Sequence, residues 1–186
     1  MRAFLKLPLG LRLYVAAVSL TAVPLLTLAF RVLPEPDARW WALSTLLIML
    51  TGLLGRVRLK LGATEQWLSF DVVLISFAQL TCGLSVAMLS AGVGAVVSYL
   101  QTGARDPITH RVKVQASYRL FFNFGVGVLS AGLAGAASDW VTAQLPSLGG
   151  QAVAPAALVW AAVYFLANTL TVVTAIAMHQ KKPILT

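Results

Sequence analysis

Residues 67–101 read WLSFDVVLISFAQLTCGLSVAMLSAGVGAVVSYLQ, an almost wholly apolar stretch broken once at Thr81-Cys82-Gly83 and carrying one acid, Asp71. As one helix, these 35 residues would run roughly 52 Å at 1.5 Å per residue, well beyond an oily bilayer core of about 30 Å. Two short spans joined at the break fit better. The apolar fraction of the whole chain is 59% and charged residues make up only 11%, more apolar surface than a soluble domain of 186 residues can bury. The sequence therefore reads as an integral membrane protein.

Around this stretch the remaining apolar runs fall into place. Arg2, Lys6 and Arg12 precede the first run, at residues 12–30; no small-residue cleavage pattern follows it, so it reads as a span and not as a signal peptide. Pro24 is a kink position that neighbouring helices can tolerate in a bilayer. The second span covers residues 40–54, opens on Trp40-Trp41 and closes on Gly55. Next comes the alternation Arg56-Val57-Arg58-Leu59-Lys60-Leu61, whose period of two suits a short extended segment or a solvated loop. Spans three and four occupy 67–81 and 84–100, span five 118–141 and span six 155–178. The expected fold class is all-α: a single compact bundle of six transmembrane helices over residues 1–186.

Charge placement tests that count. With the N-terminus inside, the inner segments hold twelve Lys and Arg residues, and the outer segments hold only Arg31 and Arg39. Cytoplasmic loops of membrane proteins are enriched in such residues, so both termini are expected in the cytoplasm. The asymmetry holds only if residues 67–100 cross twice. The net charge of +8 is explained by the same placement, without nucleic acid. A membrane location is therefore expected, with the lipid bilayer as the first partner.

Small residues mark helix contacts. Span four carries Ala87, Ala91 and Ala95 at four-residue spacing, with Ser90, Gly94 and Ser98 on an adjacent stripe; span five repeats the device with Gly127, Ala131 and Gly135. Such faces let backbones approach closely, within one protomer or across a homodimer. Asp71, placed one turn inside span three, is by default a functional-site candidate in a membrane, set against a structural ion pair with Arg119 or Lys60. Gln79, Asn123 and Asn168 each need a hydrogen-bond partner in lipid; they line a pocket or tie helices together. Trp140, with Trp40, Trp41, Asp139 and Gln144, is available to an outward-facing pocket.

No catalytic constellation is legible. The two histidines, His110 and His179, lie in or beside basic loops, and with the one cysteine, Cys82, they offer no zinc set, no Ser-His-Asp triad and no disulfide. Gly92 and Gly94 sit within an apolar helix, so they do not form a phosphate loop. The chain is expected to be no enzyme and to need no cofactor or metal.

The order of a basic stub, Leu68-Ser69-Phe70, a Cys-Gly break, a small-residue span, a basic loop, Leu120-Phe121-Phe122-Asn123 and Tyr164-Phe165-Leu166-Ala167-Asn168-Thr169 resembles a known pattern. It is similar to the N-terminal membrane region of bacterial cyclic-di-GMP signalling proteins that carry HD-GYP or GGDEF domains. In its compact six-span layout it also resembles the substrate-binding S subunits of energy-coupling-factor vitamin transporters. The first resemblance implies a sensory module that binds a small or lipid-like ligand and signals to a cytoplasmic partner or fused domain. The second implies a solute-capturing subunit that works with a coupling subunit, and a plain membrane anchor is the remaining alternative. Because the sequence ends at Thr186, soon after span six, it reads as a membrane module alone or as a free-standing relative.

Overall fold

Gly83 divides the central apolar run. In the computed structural model its φ is +88°, a left-handed conformation that glycine adopts without the Cβ clash of other residues. Its amide donates to the Gln79 carbonyl over 3.1 Å, closing one helix, and its carbonyl accepts from the Ala87 amide over 3.2 Å, opening the next. The two helices fold back on each other: a Cβ placed on Gly94 would lie 3.9 Å from Asp71 Oδ2, although the two residues stand on opposite sides of Gly83 in the chain.

The structure describes residues 2–5, 7–31, 36–54, 58–60, 67–69, 71–102, 117–146, 150 and 152–180. In chain order these form α1 (Arg2–Leu5), α2 (Leu9–Arg31), α3 (Ala38–Leu54), β1 (Arg58–Lys60), β2 (Trp67–Ser69), α4 (Asp71–Cys82), α5 (Leu84–Thr102), α6 (Ser117–Gln144) and α7 (Val153–Gln180). The fold is helical, with one addition to the all-α expectation. β1 and β2 pair antiparallel, with Arg58 opposite Ser69, Leu59 opposite Leu68 and Lys60 opposite Trp67. The alternating segment is thus extended at residues 58–60, and it recruits Trp67-Leu68-Ser69, which the hydropathy pattern assigns to the start of span three. The helix begins instead at Asp71, whose Oδ1 accepts from the Val72 amide over 2.9 Å. Asp71 is therefore the first residue of α4 and not one turn inside it. The segments around Arg56, Arg105, His110, Arg111, Lys113, Lys181 and Lys182 lie outside the described residues.

α5 is central, packing against α2, α3, α4 and α6. Its Ser85, Val86, Ala87, Met88, Ser90 and Ala91 are buried, and the core continues through Ile75 and Ala78 of α4, Val128, Ala131 and Ala134 of α6, and Trp160 of α7. The periphery is the reverse. Leu20 and Val23 of α2, Met49 of α3, and Leu158, Phe165 and Leu170 of α7 point outward and are exposed. An apolar belt of that extent calls for lipid or a partner, since soluble monomers rarely expose contiguous apolar surface beyond a few hundred Å².

Helices Leu9–Arg31, Tyr118–Gln144 and Val153–Gln180 are long and apolar enough to cross a membrane, which is consistent with membrane association. The apolar helices of α3, α4 and α5 are shorter. Hydroxyl chemistry agrees with such surroundings. Ser19, Thr21, Thr27, Thr51, Thr81, Thr142 and Thr171 each donate to the carbonyl four residues earlier, over 2.7–3.0 Å, so these hydroxyls are satisfied within their own helix.

Side-chain bonds to backbone carbonyls join separate helices. Trp40 Nε1 donates to the Cys82 carbonyl over 3.1 Å, pinning the start of α3 to the end of α4. Tyr14 Oη donates to the Thr171 carbonyl over 3.1 Å, pinning α2 to α7. The start of α3 is itself capped by Asp37, whose Oδ1 accepts from the Trp40 amide over 2.7 Å.

Candidate functional site

Because α6 and α7 run antiparallel, the first turn of α6 lies beside the last turns of α7, and the start of α2 closes the third side. Between them is a groove of about 390 Å³. Its apolar walls are Leu11 and Val15 of α2, Phe122 of α6, and Val172, Ala175 and Ile176 of α7. Tyr118, Arg119 and Asn123 of α6 and His179 and Gln180 of α7 supply the polar groups.

The polarity is graded along the groove. Val172 and His179 are seven residues apart on one helix, which spaces them by about 10 Å at 1.5 Å per residue. Phe122 and Val172 lie deeper, near the Tyr14–Thr171 bond, and the Tyr14 and Phe122 rings meet there with centroids 6.2 Å apart. Arg119, His179 and Gln180 lie at the mouth. The Arg119 Nε donates to Tyr118 Oη over 3.3 Å, and Tyr99 of α5 is a further partner of the guanidinium. These tyrosines hold the cation at the mouth of the groove. Among the described residues, none that lines the groove is acidic.

A second, much smaller cavity, of about 10 Å³, lies toward the opposite end, among Ser76, Gln79, Leu80, Ser138, Ala157 and Trp160. Beside it, Gly135 leaves room for the side chains of Leu84 and Gln79. A Cβ there would collide with Leu84 Cδ1 and come within 3.0 Å of Gln79 Oε1. The amide of Gln79 is a hydrogen-bond partner of the Asp139 carboxylate. Gln79 Oε1 and Trp160 Nε1 are buried without a hydrogen-bond partner among the described residues, and the Trp160 ring stacks on Tyr164 at 5.0 Å.

The sequence candidates are thus spread over the bundle. Asn123 lines the large groove and Gln79 the small cavity. Asp71 sits at the α4 start beside Gly94, within electrostatic reach of Tyr164, while Arg119 turns to the tyrosines and not to Asp71. Asn168 is half-buried on α7 and lines neither cavity, and Trp140 is exposed. Of the small residues, Ala87, Ala91, Gly94, Gly127, Ala131 and Gly135 are buried, and Ala95 is half-buried.

Tyr118, Arg119, His179 and Gln180 were not legible as one site, because α6 and α7 bring their ends together only once the chain is folded. The available signal was that Arg119 opens one long helix and His179 closes another, at ends that an even number of intervening spans places on the same side. Among the described residues, no three His, Cys, Asp or Glu side chains gather in a way that could hold a metal ion. No family model matches the chain, and no curated protein or solved structure matches it.

Proposed function

We propose that the protein is a sensory or regulatory module of the bacterial inner membrane. Six helices cross the bilayer with both termini in the cytoplasm. A small or lipid-like ligand binds between α2, α6 and α7, and acts through α7 on a cytoplasmic partner or fused domain. The groove of about 390 Å³ carries this reading. Its size falls within the roughly 300–1,000 Å³ of small-molecule sites, and its apolar walls with a few convergent polar groups are what such sites require.

One wall of the groove is the last two turns of α7, so an occupant bears directly on that helix. Signalling further requires that the ligand bind two arrangements of the bundle unequally, because equal affinity shifts no population. The transporter-like alternative needs a roomy polar pocket toward the opposite end. There, the cavity beside Gln79 and Trp160 measures only about 10 Å³, which favours the regulatory reading.

The test is a distance measurement in detergent, on a Cys82→Ser background. Spin labels at Leu13→Cys and Gln180→Cys report the separation of α2 and α7 with and without added bacterial total lipid extract. A shifted distribution is expected, and it should disappear when Ile176→Trp fills the groove. An unchanged distribution in the unfilled protein would sink the proposal that α7 transmits binding.

A further inference from the structure

We infer that the groove between α2, α6 and α7 selects a membrane lipid with an anionic headgroup. This rests on the reading above, that the groove holds a ligand, and adds the ligand's chemical class. Three observations converge on it. At the mouth Arg119 and His179 line the same groove, and none of its lining residues is acidic among the described residues.

Depth supplies the second. Over about 10 Å along α7 the lining passes from His179 to Val172, and beside it stand the apolar Leu11, Val15 and Phe122 with one amide, Asn123, walls that a wholly polar solute does not match. The third is exposure. Ile176, on the groove wall, is 49% exposed, and the neighbouring outer face of α7 at Val173 and Leu170 is apolar, so an acyl chain can pass between the groove and surrounding lipid without crossing a polar barrier.

Arginine suits the task. Its planar fork meets two oxygens of a phosphate at once, and Tyr118 and Tyr99 already hold its orientation, which lowers the ordering cost of binding. A cation near an anionic lipid surface contributes about 1 kcal/mol, which corresponds to about fivefold in affinity.

The experiment uses the full chain in neutral detergent, with lipid adducts counted by native mass spectrometry. Phosphatidylglycerol and phosphatidylcholine of identical acyl chains are supplied together. The intact protein is expected to retain phosphatidylglycerol about fivefold over phosphatidylcholine. Arg119→Gln should bring that ratio close to one while phosphatidylcholine binding persists. Arg119→Lys should keep part of the preference, and Arg39→Gln, at the other end of the bundle, should leave it unchanged.

Equal retention of the two lipids by the intact protein, or a preference untouched by Arg119→Gln, overturns the inference. Displacement of the lipid by millimolar inorganic phosphate also overturns it, assigning the site to a free anion. The groove-filling Ile176→Trp separates this from the broader reading, with Ala175→Phe as a second filler if the first does not elute as a single species. Loss of both lipids on filling, without any headgroup preference beforehand, removes the anionic assignment and keeps a ligand groove. Retention of both lipids on filling removes the ligand groove as well.

Discussion

A Cβ built on Gly127 would stand 2.5 Å from the Ala91 carbonyl oxygen, so α5 and α6 meet backbone to backbone at this point. Any side chain at position 127 must push the central helix away from its neighbour. Gly127→Ala is expected to cost about 1–3 kcal/mol, the usual penalty of overpacking a close contact. Gly132→Ala, on the same helix, would meet only Met88 Cε at 3.4 Å, the mobile end of a flexible side chain, and should be nearly neutral. Thermal unfolding of the two variants in one detergent compares them directly. Equal losses would mean that the seam is not the tight contact described.

Gly83 offers a different kind of test, because nothing lies within 4 Å of the position its Cβ would take. Only the backbone conformation objects. Gly83→Ala should therefore destabilise by about 1–2 kcal/mol through strain at φ +88°, and Gly83→Asn by less, since asparagine visits the left-handed region more readily. The order alanine below asparagine below glycine in melting temperature is the expected result. An alanine variant as stable as the parent would show that the α4–α5 turn is not held in this geometry.

How much of this was readable beforehand depends on the range over which each feature is decided. The break at Gly83 is set by local chemistry, a glycine inside an apolar run too long for one helix, and the sequence exposes both facts. The stripes at Ala87-Ala91 and Gly127-Ala131 are likewise local in spacing. That Gly127 faces Ala91, while Gly125 faces the Val18 carbonyl on α2, is a matter of helix rotation that spacing alone does not determine. Half of the ribbon was legible in the period-two alternation of residues 56–61, which suits a short extended segment, but its partner strand escaped. Trp67-Leu68-Ser69 is as apolar as the helix that follows, and only pairing with residues 58–60 makes it extended. Asp71 was misplaced by one turn for the same reason. The groove is the least local feature of all: Arg119 and His179 look like ordinary flanking polar residues until two antiparallel helices bring them to one groove.

Trp160 separates packing from polarity in the core. Its ring is almost fully buried and stacked on Tyr164, whereas its Nε1 has no hydrogen-bond partner among the described residues, and with Gln79 it lines a cavity with room for roughly one water. Trp160→Phe keeps most of the stack and removes a buried donor that has no partner among the described residues, so its cost should stay below about 1 kcal/mol. Trp160→Ala loses the ring entirely and should cost about 3–5 kcal/mol. Chemical denaturation in mixed micelles would measure both. If phenylalanine proved as damaging as alanine, the indole nitrogen and not the ring would be the group that stabilises this end of the bundle.

The six-crossing arrangement can be checked by labelling from one side of the membrane. α3, α4 and α5 are the shorter helices, about 18 Å long for the 12 residues of α4 and about 28 Å for the 19 residues of α5, against an oily core of about 30 Å. The fold-back at Gly83 sets the start of α4 beside Gly94, partway along α5, and the sequence expectation of a side that holds only Arg31 and Arg39 is what the labelling tests. On a Cys82→Ser background, Asp37→Cys and Gln144→Cys are expected to react with a membrane-impermeant maleimide in spheroplasts. Lys60→Cys and Gln180→Cys should react only after permeabilisation. Labelling of Lys60→Cys in intact spheroplasts would place the ribbon outside and overturn the proposed arrangement.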